Sequence, residues 1–178
     1  MHHIRSPWCR TVIVLAAACV LQACGPRWQQ VTSNEDRFSV LMPAEPETRV
    51  SDAEYGGTRL SMRSFVAEYN SPYWGGLLAA RVSTAPIAPV KAAVVRQQMT
   101  SELEKLCDGA AVTKRELSEA QHRAVEIHCI DGDVAIWGRV VVSDGRAYKV
   151  GVIGPRRKVD PSLGQYFLDS FKLMPAPQ

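Results

Sequence analysis

The sequence has no long hydrophobic run and little excess of charge. Its longest apolar stretch, Thr11 to Val20, has about 10 residues, roughly half of the ~20 that a helix needs to cross a bilayer. We therefore expect no membrane-spanning helix. The chain has 21 Lys and Arg residues against 18 Asp and Glu residues, whereas nucleic-acid-binding proteins carry a clearly basic surface. The composition therefore argues against a nucleic-acid partner.

The local motifs of the common enzyme classes are also missing from the sequence. There is no Gly-x-Ser-x-Gly turn to present a nucleophile for acyl transfer. There is no glycine-rich phosphate loop, His-Glu-x-x-His helix or calcium loop either. We therefore expect a protein that is not an enzyme and that uses no cofactor.

His122, His128 and Cys129 lie close together in the sequence and are the only cluster that suggests a metal. Successive side chains of a strand project to opposite faces of the sheet, so His128 and Cys129 cannot bind the same ion. We therefore predict no metal site and interpret both histidines as surface or rim residues.

The start of the chain has the pattern of a lipoprotein signal peptide. Arg5 and Arg10 precede the apolar run, and Leu21-Gln22-Ala23-Cys24 follows it as a lipobox. Small residues lie beside the cleavage point, and Cys24 supplies the thiol that accepts the diacylglyceryl group. We predict a signal peptide over residues 1–23 and lipidation of Cys24, with two or three acyl chains anchoring the protein to the membrane.

Residues 24–27 form the predicted lipidated tether, which is much shorter than the flexible spacers of some lipoproteins. The domain should therefore lie close to the bilayer. Gly25 is not the aspartate that retains many enterobacterial lipoproteins at the inner membrane. We expect a cell-envelope location, at the outer membrane facing the periplasm in a host with two membranes. The loop Arg156-Arg157-Lys158 either contacts anionic lipid headgroups or is simply solvated.

Two cysteines remain for structural use. Of the five in the chain, Cys9 and Cys19 leave with the signal peptide and Cys24 is acylated. Since exported proteins fold in an oxidising compartment, Cys107 and Cys129 are predicted to form a disulfide. The alternative is a pair of buried free thiols.

Alternating apolar and polar residues predict β-strands in both halves of the chain. The predicted strands are 38–42, 48–54, 58–69, 77–84, 112–117, 123–130, 134–142 and 146–153. The dipeptides Gly56-Gly57, Asp131-Gly132 and Asp144-Gly145 separate successive strands and suit tight hairpins, with type I′ turns predicted for the last two. The second half should therefore form an antiparallel meander.

Two helices are predicted from apolar residues at helical spacing. The first begins near Pro89 and ends at Asp108-Gly109, which places Cys107 over a strand. Its apolar stripe consists of Ala92, Val95, Met99, Leu103 and Leu106. The second begins at Asp160-Pro161, as N-cap and first helical residue, and packs through Leu163, Phe167 and Phe171.

The segment Tyr73-Trp74-Gly75-Gly76 combines aromatic rings with glycines. Trp74 could serve as a ligand platform, because glycine allows close backbone approach while an aromatic ring stacks. The alternative is a loop whose aromatic residues cover one end of the core.

Three segments, 37–43, 138–154 and 167–173, together resemble the PsbP-like superfamily. This group includes the extrinsic subunit of photosystem II, a yeast Ran-binding protein and small bacterial lipoproteins of unknown role. The likeness spans nearly the whole mature chain. It implies an α+β fold in which an antiparallel β-sheet is flanked by two main helices, a PsbP-like α/β/α sandwich, in a single domain over residues 28–174. It also implies a binding module, and it carries over no catalytic residue.

Two functions follow from these patterns. The first is a non-enzymatic cell-envelope lipoprotein that binds an envelope protein partner or supports the envelope. The second is a carrier of a small ligand or metal that uses a pocket between helix and sheet. A flat apolar patch rimmed by charge favours the first function, and a concave apolar pocket with converging polar groups favours the second.

Overall fold

The computed structural model of the protein describes residues 25–72, 75–119 and 122–175. The predicted signal peptide and Cys24 lie outside these ranges, as does Trp74. Most described residues belong to β-strands, and two α-helices accompany them. The prediction of a large antiparallel sheet combined with helices is confirmed.

The elements follow one another in chain order with short connections. The strands are β1 (Gln29–Ser33), β2 (Phe38–Met42), β3 (Glu47–Tyr55), β4 (Thr58–Ser71), β5 (Gly76–Pro86), β6 (Val112–Glu119), β7 (His122–Asp131), β8 (Val134–Ser143), β9 (Arg146–Pro155) and β10 (Lys172–Leu173). The helices are α1 (Ala92–Lys105), which a 3-10 turn at Pro89–Lys91 precedes, and α2 (Pro161–Ser170).

Seven strands form one large antiparallel sheet in the order β3-β4-β5-β9-β8-β7-β6. It consists of two meanders, β3-β4-β5 and β6-β7-β8-β9, which join where β5 pairs with β9. Helix α1 lies in the connection between the two meanders. A second sheet has three strands in the order β1-β2-β10. This small sheet, with its first and last strands, was not predicted from the sequence.

Hairpin geometry agrees with the sequence at two of three sites. The central residues Gly56 and Gly57 have φ angles of 59° and 68°, and Asp144 and Gly145 have 46° and 72°, as a type I′ turn requires. The prediction for Asp131-Gly132 is wrong. Asp131 pairs with Val134, so the loop residues are Gly132 and Asp133, and only Gly132 has a positive φ, at 54°. The strand register, set by the faces that must be buried, shifts this turn by one residue.

Helix α1 covers one face of the large sheet, here named the α1 face. Its buried residues Val95, Met99 and Leu103 pack against the core residues Val125, Ile127 and Val140 of β7 and β8. The predicted disulfide is present: Cys107, just beyond the helix, bonds Cys129 of β7 across a Cα–Cα distance of 6.0 Å. Closing a loop of this length stabilises the fold by about 3 kcal/mol through lost chain entropy.

Leu106 does not belong to the buried stripe of α1, although the sequence predicted that it would. It was expected in the core, but it is 57% exposed. The helix ends at Lys105, and Leu106 is the C-cap residue, so its side chain leaves the buried stripe one residue before the disulfide.

Helix α2 and the small sheet cover the opposite face, here named the α2 face. Their buried residues Phe167 and Phe38 pack with Tyr148 and its neighbours on β9, and Phe38 stacks on Phe171 with ring centroids 5.9 Å apart. Asp160 caps α2 as predicted, because its carboxylate accepts a hydrogen bond from the Leu163 N–H at 2.9 Å. The two helices therefore lie on opposite sides of the large sheet.

A buried carboxylate joins the two sheets. Asp36, in the turn between β1 and β2, lies 2.5 Å from the guanidinium of Arg146 and 3.2 Å from that of Arg63. Ser33 donates a hydrogen bond to the same carboxylate at 2.9 Å, and the Tyr148 hydroxyl donates to the Asp36 carbonyl at 3.0 Å. Arg63 and Arg146 belong to the large sheet, so this network ties the small sheet to it.

A second buried carboxylate, Glu126 of β7, forms ion pairs with Arg115 and Arg139 on the neighbouring strands. Arg139 also bonds the Leu168 carbonyl at 2.8 Å and the Asp169 carboxylate at 3.0 Å. It therefore links the sheet to the end of α2. Because each buried charge has a partner, burial costs far less than it would for an isolated ion.

Candidate functional site

A groove lies on the α1 face, beside the C-terminal half of the helix. Leu103, Lys105 and Leu106 form its wall, and residues of β4, β5, β8 and β9 form its floor. It encloses a volume of about 650 Å³, within the ~300–1,000 Å³ of typical ligand clefts. We name it the α1 groove. Its lining includes Val66, Ala79, Arg81, Leu106, Gly151 and Ile153.

The groove exists because α1 covers only part of the sheet. The helix packs chiefly on β8 and also contacts β3, β7 and β9. Strands β4 and β5 lie between β3 and β9, and the helix passes over them. Val66 of β4 and Ala79 of β5 therefore line the floor instead of entering the core.

Two paired glycines shape the floor in different ways. Gly138 of β8 is opposite Gly151 of β9. A β-carbon at Gly138 would lie 2.9 Å from Leu103 Cδ1, so this glycine lets the helix approach the sheet. A β-carbon at Gly151 would have a backbone oxygen 3.4 Å away as its nearest neighbour. The missing side chain at Gly151 therefore leaves open space in the groove.

Arg81 is the main polar group of the floor. Its Nε donates to the Ser83 hydroxyl at 2.9 Å, and its Nη2 donates to the Ser64 hydroxyl at 3.0 Å. Both serines are buried and are 2.9 Å from each other. Within the described part of the chain, Arg81 forms no ion pair and its Nη1 makes no hydrogen bond. The guanidinium is thus held in place while retaining donors for a carboxylate or carbonyl group.

A second polar cluster closes the groove beside the helix. Lys149 Nζ lies 2.5 Å from the Glu102 carboxylate, and the Tyr55 hydroxyl donates to the same carboxylate at 2.8 Å. Burial of the phenol, followed by the hydrogen bond to Glu102, raises the pKa of Tyr55. Tyr55 therefore stays protonated and acts as a hydrogen-bond donor, and the cluster is internally neutralised. Arg81 remains the cation of the groove floor that a bound group can use.

An exposed apolar strip continues the groove towards the ends of β5 and β9. Its members are 37–57% exposed: Leu77, Leu106, Val134 and Ile153. Val134 pairs with Pro155 and Ile153 pairs with Ile136. Leu77, Val134 and Ile153 line one shared depression, and Ile153 also lines the α1 groove. The groove is therefore open at this end.

The other residues singled out in the sequence lie elsewhere. His128 is on the α2 face and stacks on Trp137, with ring centroids 3.9 Å apart; burial lowers the pKa of its imidazole. His122 lines a separate cleft with Arg115 and Arg139. The described residues contain no group of three or more His, Cys, Asp or Glu side chains placed to hold a metal ion.

Sequence reasoning named a pocket between helix and sheet as one alternative but did not identify the residues of the groove floor, although one signal was present. Arg81 interrupts the apolar run 77–84, which was predicted to be a buried strand. A charged residue in such a run marks a surface that the core does not cover. Gly151 gave no comparable signal, because a glycine within a strand is compatible with several roles.

No helix within the described ranges has the length and apolar character needed to cross a membrane. Comparison with models of known protein families finds no match, and comparison with curated proteins finds no significant one.

Proposed function

We propose that this chain is a non-enzymatic, lipid-anchored protein of the cell envelope that binds a protein partner through the α1 groove. The observation that carries the proposal is the open apolar floor beside the helix, with the hydrogen-bonded Arg81 at its centre. Exposed apolar surface rimmed by charge is typical of protein interaction sites. Partner binding buries the strip and offers Arg81 a carboxylate or carbonyl.

The shape of the groove favours a segment of a protein over an enclosed small molecule. Binding pockets for small ligands usually bury 70–90% of the ligand surface. The α1 groove instead runs without a boundary into the strip around Leu77 and Val134. A peptide segment can follow such a surface and place apolar side chains between Leu106 and Ile153.

The cellular location rests on the start of the chain. The lipobox ending at Cys24 and the flanking signal peptide support export and lipidation, and Gly25 supports the outer membrane facing the periplasm. The resemblance to the PsbP-like superfamily supports a binding module over residues 28–174. The antiparallel sheet with a helix on each side is compatible with that fold.

Crosslinking in living cells tests the groove. A benzophenone amino acid at Leu106 should capture a partner reproducibly. The same amino acid at Val50, which is 65% exposed on the edge strand β3, serves as the control and should not capture that partner. Adding Gly151→Leu to the Leu106 probe should fill the groove and reduce the adduct about tenfold.

Equal capture from Leu106 and Val50, or an adduct that survives Gly151→Leu, would contradict the proposed binding site. Lipidation is measured separately: an alkyne fatty acid should label the wild-type chain and leave Cys24→Ala unlabelled. Turnover of an ester, glycan or peptide by the pure protein, abolished by one side-chain change that leaves it folded, would contradict the non-enzymatic role.

The concave floor of the groove favours a second candidate, a carrier of a small amphipathic anion. Its acyl or aryl part would lie on Val66 and Ile153, and its carboxylate would bond Arg81. Native mass spectrometry of the lipidated protein purified from membranes would detect such a ligand. Its loss in Arg81→Ala would separate this function from partner binding.

A further inference from the structure

The start of the described chain and the basic loop Arg156-Arg157-Lys158 lie at the same end of the fold. Trp28 precedes β1 and packs on α2, where its ring centroid is 6.0 Å from that of Tyr166. Three residues lie between Cys24 and Trp28, so four steps along the chain limit their separation to about 14 Å. Tyr166 in turn shares a surface depression with Arg157 and Lys158.

We infer that this end of the domain docks on the anionic phospholipid headgroups of the bilayer that holds the anchor. The docking surface consists of Arg27, Arg156, Arg157, Lys158 and Tyr166. The inference rests on the proposed lipidation of Cys24 and adds the orientation of the domain and the chemistry of its contact with the membrane.

Charge supports this partner. Asp133 and Asp160 are the acidic residues among the described ones that line the depressions around Arg156, Arg157 and Lys158, so the four cations of the docking surface outnumber them. The Asp160 carboxylate caps α2 by accepting hydrogen bonds from Leu163 N and Ser162 Oγ at 2.9 and 2.7 Å. Arg156 and Arg157 are exposed, and neither side chain forms an ion pair with a described carboxylate. The surface is therefore positive, as attraction to anionic lipid requires.

The short segment between Cys24 and Trp28 also supports docking on the membrane. A tether of about 14 Å holds the surface near the headgroups, and the attraction acts over a Debye length of about 8–10 Å. The tether thus keeps the basic loop close enough to the membrane for electrostatic attraction to the anionic headgroups. Tyr166 is 51% exposed, and tyrosine is among the residues that favour the headgroup level.

The opposite end of the sheet gives matched controls. Arg59 follows the β3–β4 hairpin and Arg123 pairs with Val142 near the β8–β9 hairpin. Val90 is 85% exposed in the 3-10 turn beyond β5, and the neighbouring Ile87 N–H bonds the Gly145 carbonyl at 2.8 Å. These positions lie away from the docking surface.

The experiment uses the full lipidated protein, purified from membranes and reconstituted into vesicles. Intact mass and vesicle flotation first establish whether Cys24 carries lipid. An unlipidated protein would contradict the proposed lipid anchor and would be separate from the test of docking. A benzophenone amino acid then replaces Tyr166 or Val90, and lipid adducts are counted by mass spectrometry. Vesicles contain either phosphatidylcholine alone or 30% phosphatidylglycerol.

With phosphatidylglycerol, the Tyr166 probe should form lipid adducts and the Val90 probe should not. Arg156→Gln with Arg157→Gln should weaken docking about 25-fold, at roughly fivefold for each cation. Arg59→Gln with Arg123→Gln removes the same charge and should leave the adduct yield unchanged. Inorganic phosphate at 10 mM should not compete, because the partner is a charged surface.

Several results would overturn the inference for a protein that is lipidated and floats with the vesicles. They are equal adducts from the two probes, equal adducts in neutral vesicles, and equal loss in the two charge variants. Displacement by 10 mM phosphate would also overturn it, since it would identify a site for the free anion.

Discussion

The two faces of the large sheet are closed by different means. The α2 face carries a helix and a second sheet, aromatic rings in contact, and two buried carboxylates with arginine partners. The α1 face carries one helix, one disulfide and an open groove. The first face is filled and the second is only partly covered. A single helix leaves neighbouring strands bare, and this is where a binding surface forms.

The stabilising interactions differ between the two faces because they hold different elements in place. Holding two sheets together requires groups that reach across, and Asp36 does so through Arg63 and Arg146. On the α1 face, the Cys107–Cys129 bond holds the end of the helix on β7. The wall of the groove is thereby kept in position while its floor stays open to solvent.

The largest expected effect is on the closed face. Asp36→Ala leaves the guanidinium groups of Arg146 and Arg63 without their shared carboxylate, and breaking a buried ion pair typically destabilises by about 3 kcal/mol or more. We expect the urea midpoint to fall by about 1.5 M for an m value of about 2 kcal/mol/M.

Glu35→Ala is the matched control for Asp36→Ala. Glu35 pairs with the same Arg63, but its carboxylate is exposed, so its removal should leave the urea midpoint unchanged. Equal shifts for the two variants would show that Asp36 does not join the sheets in the way described.

Substitution of one glycine on each face, Gly164 and Gly151, compares the packing of the two faces. A β-carbon at Gly164 of α2 would lie 2.3 Å from the Trp137 ring, whereas one at Gly151 reaches the open groove. Gly164→Ala should destabilise by about 1–2 kcal/mol, since overpacking outweighs the gain in helix propensity. Gly151→Ala should be neutral or slightly stabilising. Thermal unfolding measures both, and a neutral Gly164→Ala would mean that the α2 face has unfilled space.

The smallest effect concerns pH. Burial lowers the pKa of His128, so near pH 6 the unfolded chain binds more protons at this residue than the folded one. The contribution of His128 to stability is therefore present above its ordinary pKa of about 6.5 and declines as the pH falls below it. Urea titrations between pH 7.5 and 5 should show this decline.

His128→Phe keeps an aromatic ring to stack on Trp137 and removes the titrating group. The variant should therefore lose the part of the pH dependence that begins as the pH falls below about 6.5. An unchanged profile would show that other groups cause it. The carboxylates with lowered pKa, such as that of Asp169, titrate at lower pH.

Local patterns predicted much of the fold. Both helices, the second-half meander and the Asp144-Gly145 turn were expected from periodicity and turn chemistry, since these depend on a few adjacent residues. The small sheet was missed because β1 and β10 are short and pair across the length of the chain. Short strands carry little periodic signal, and a partner distant in sequence leaves no local trace.

By itself, the sequence determined the alternation of the meander strands, the Asp160 cap and the pairing of Cys107 with Cys129. Alternation and capping act through the residues concerned, and these two cysteines are the ones left once the predicted signal peptide and Cys24 are set aside. Only the tertiary structure decided that Leu106 is exposed, that Asp36 is buried and that Arg81 lies in a groove. Those outcomes depend on the path of α1 across the sheet and on the closure of the opposite face. Packing between elements distant in the chain sets both.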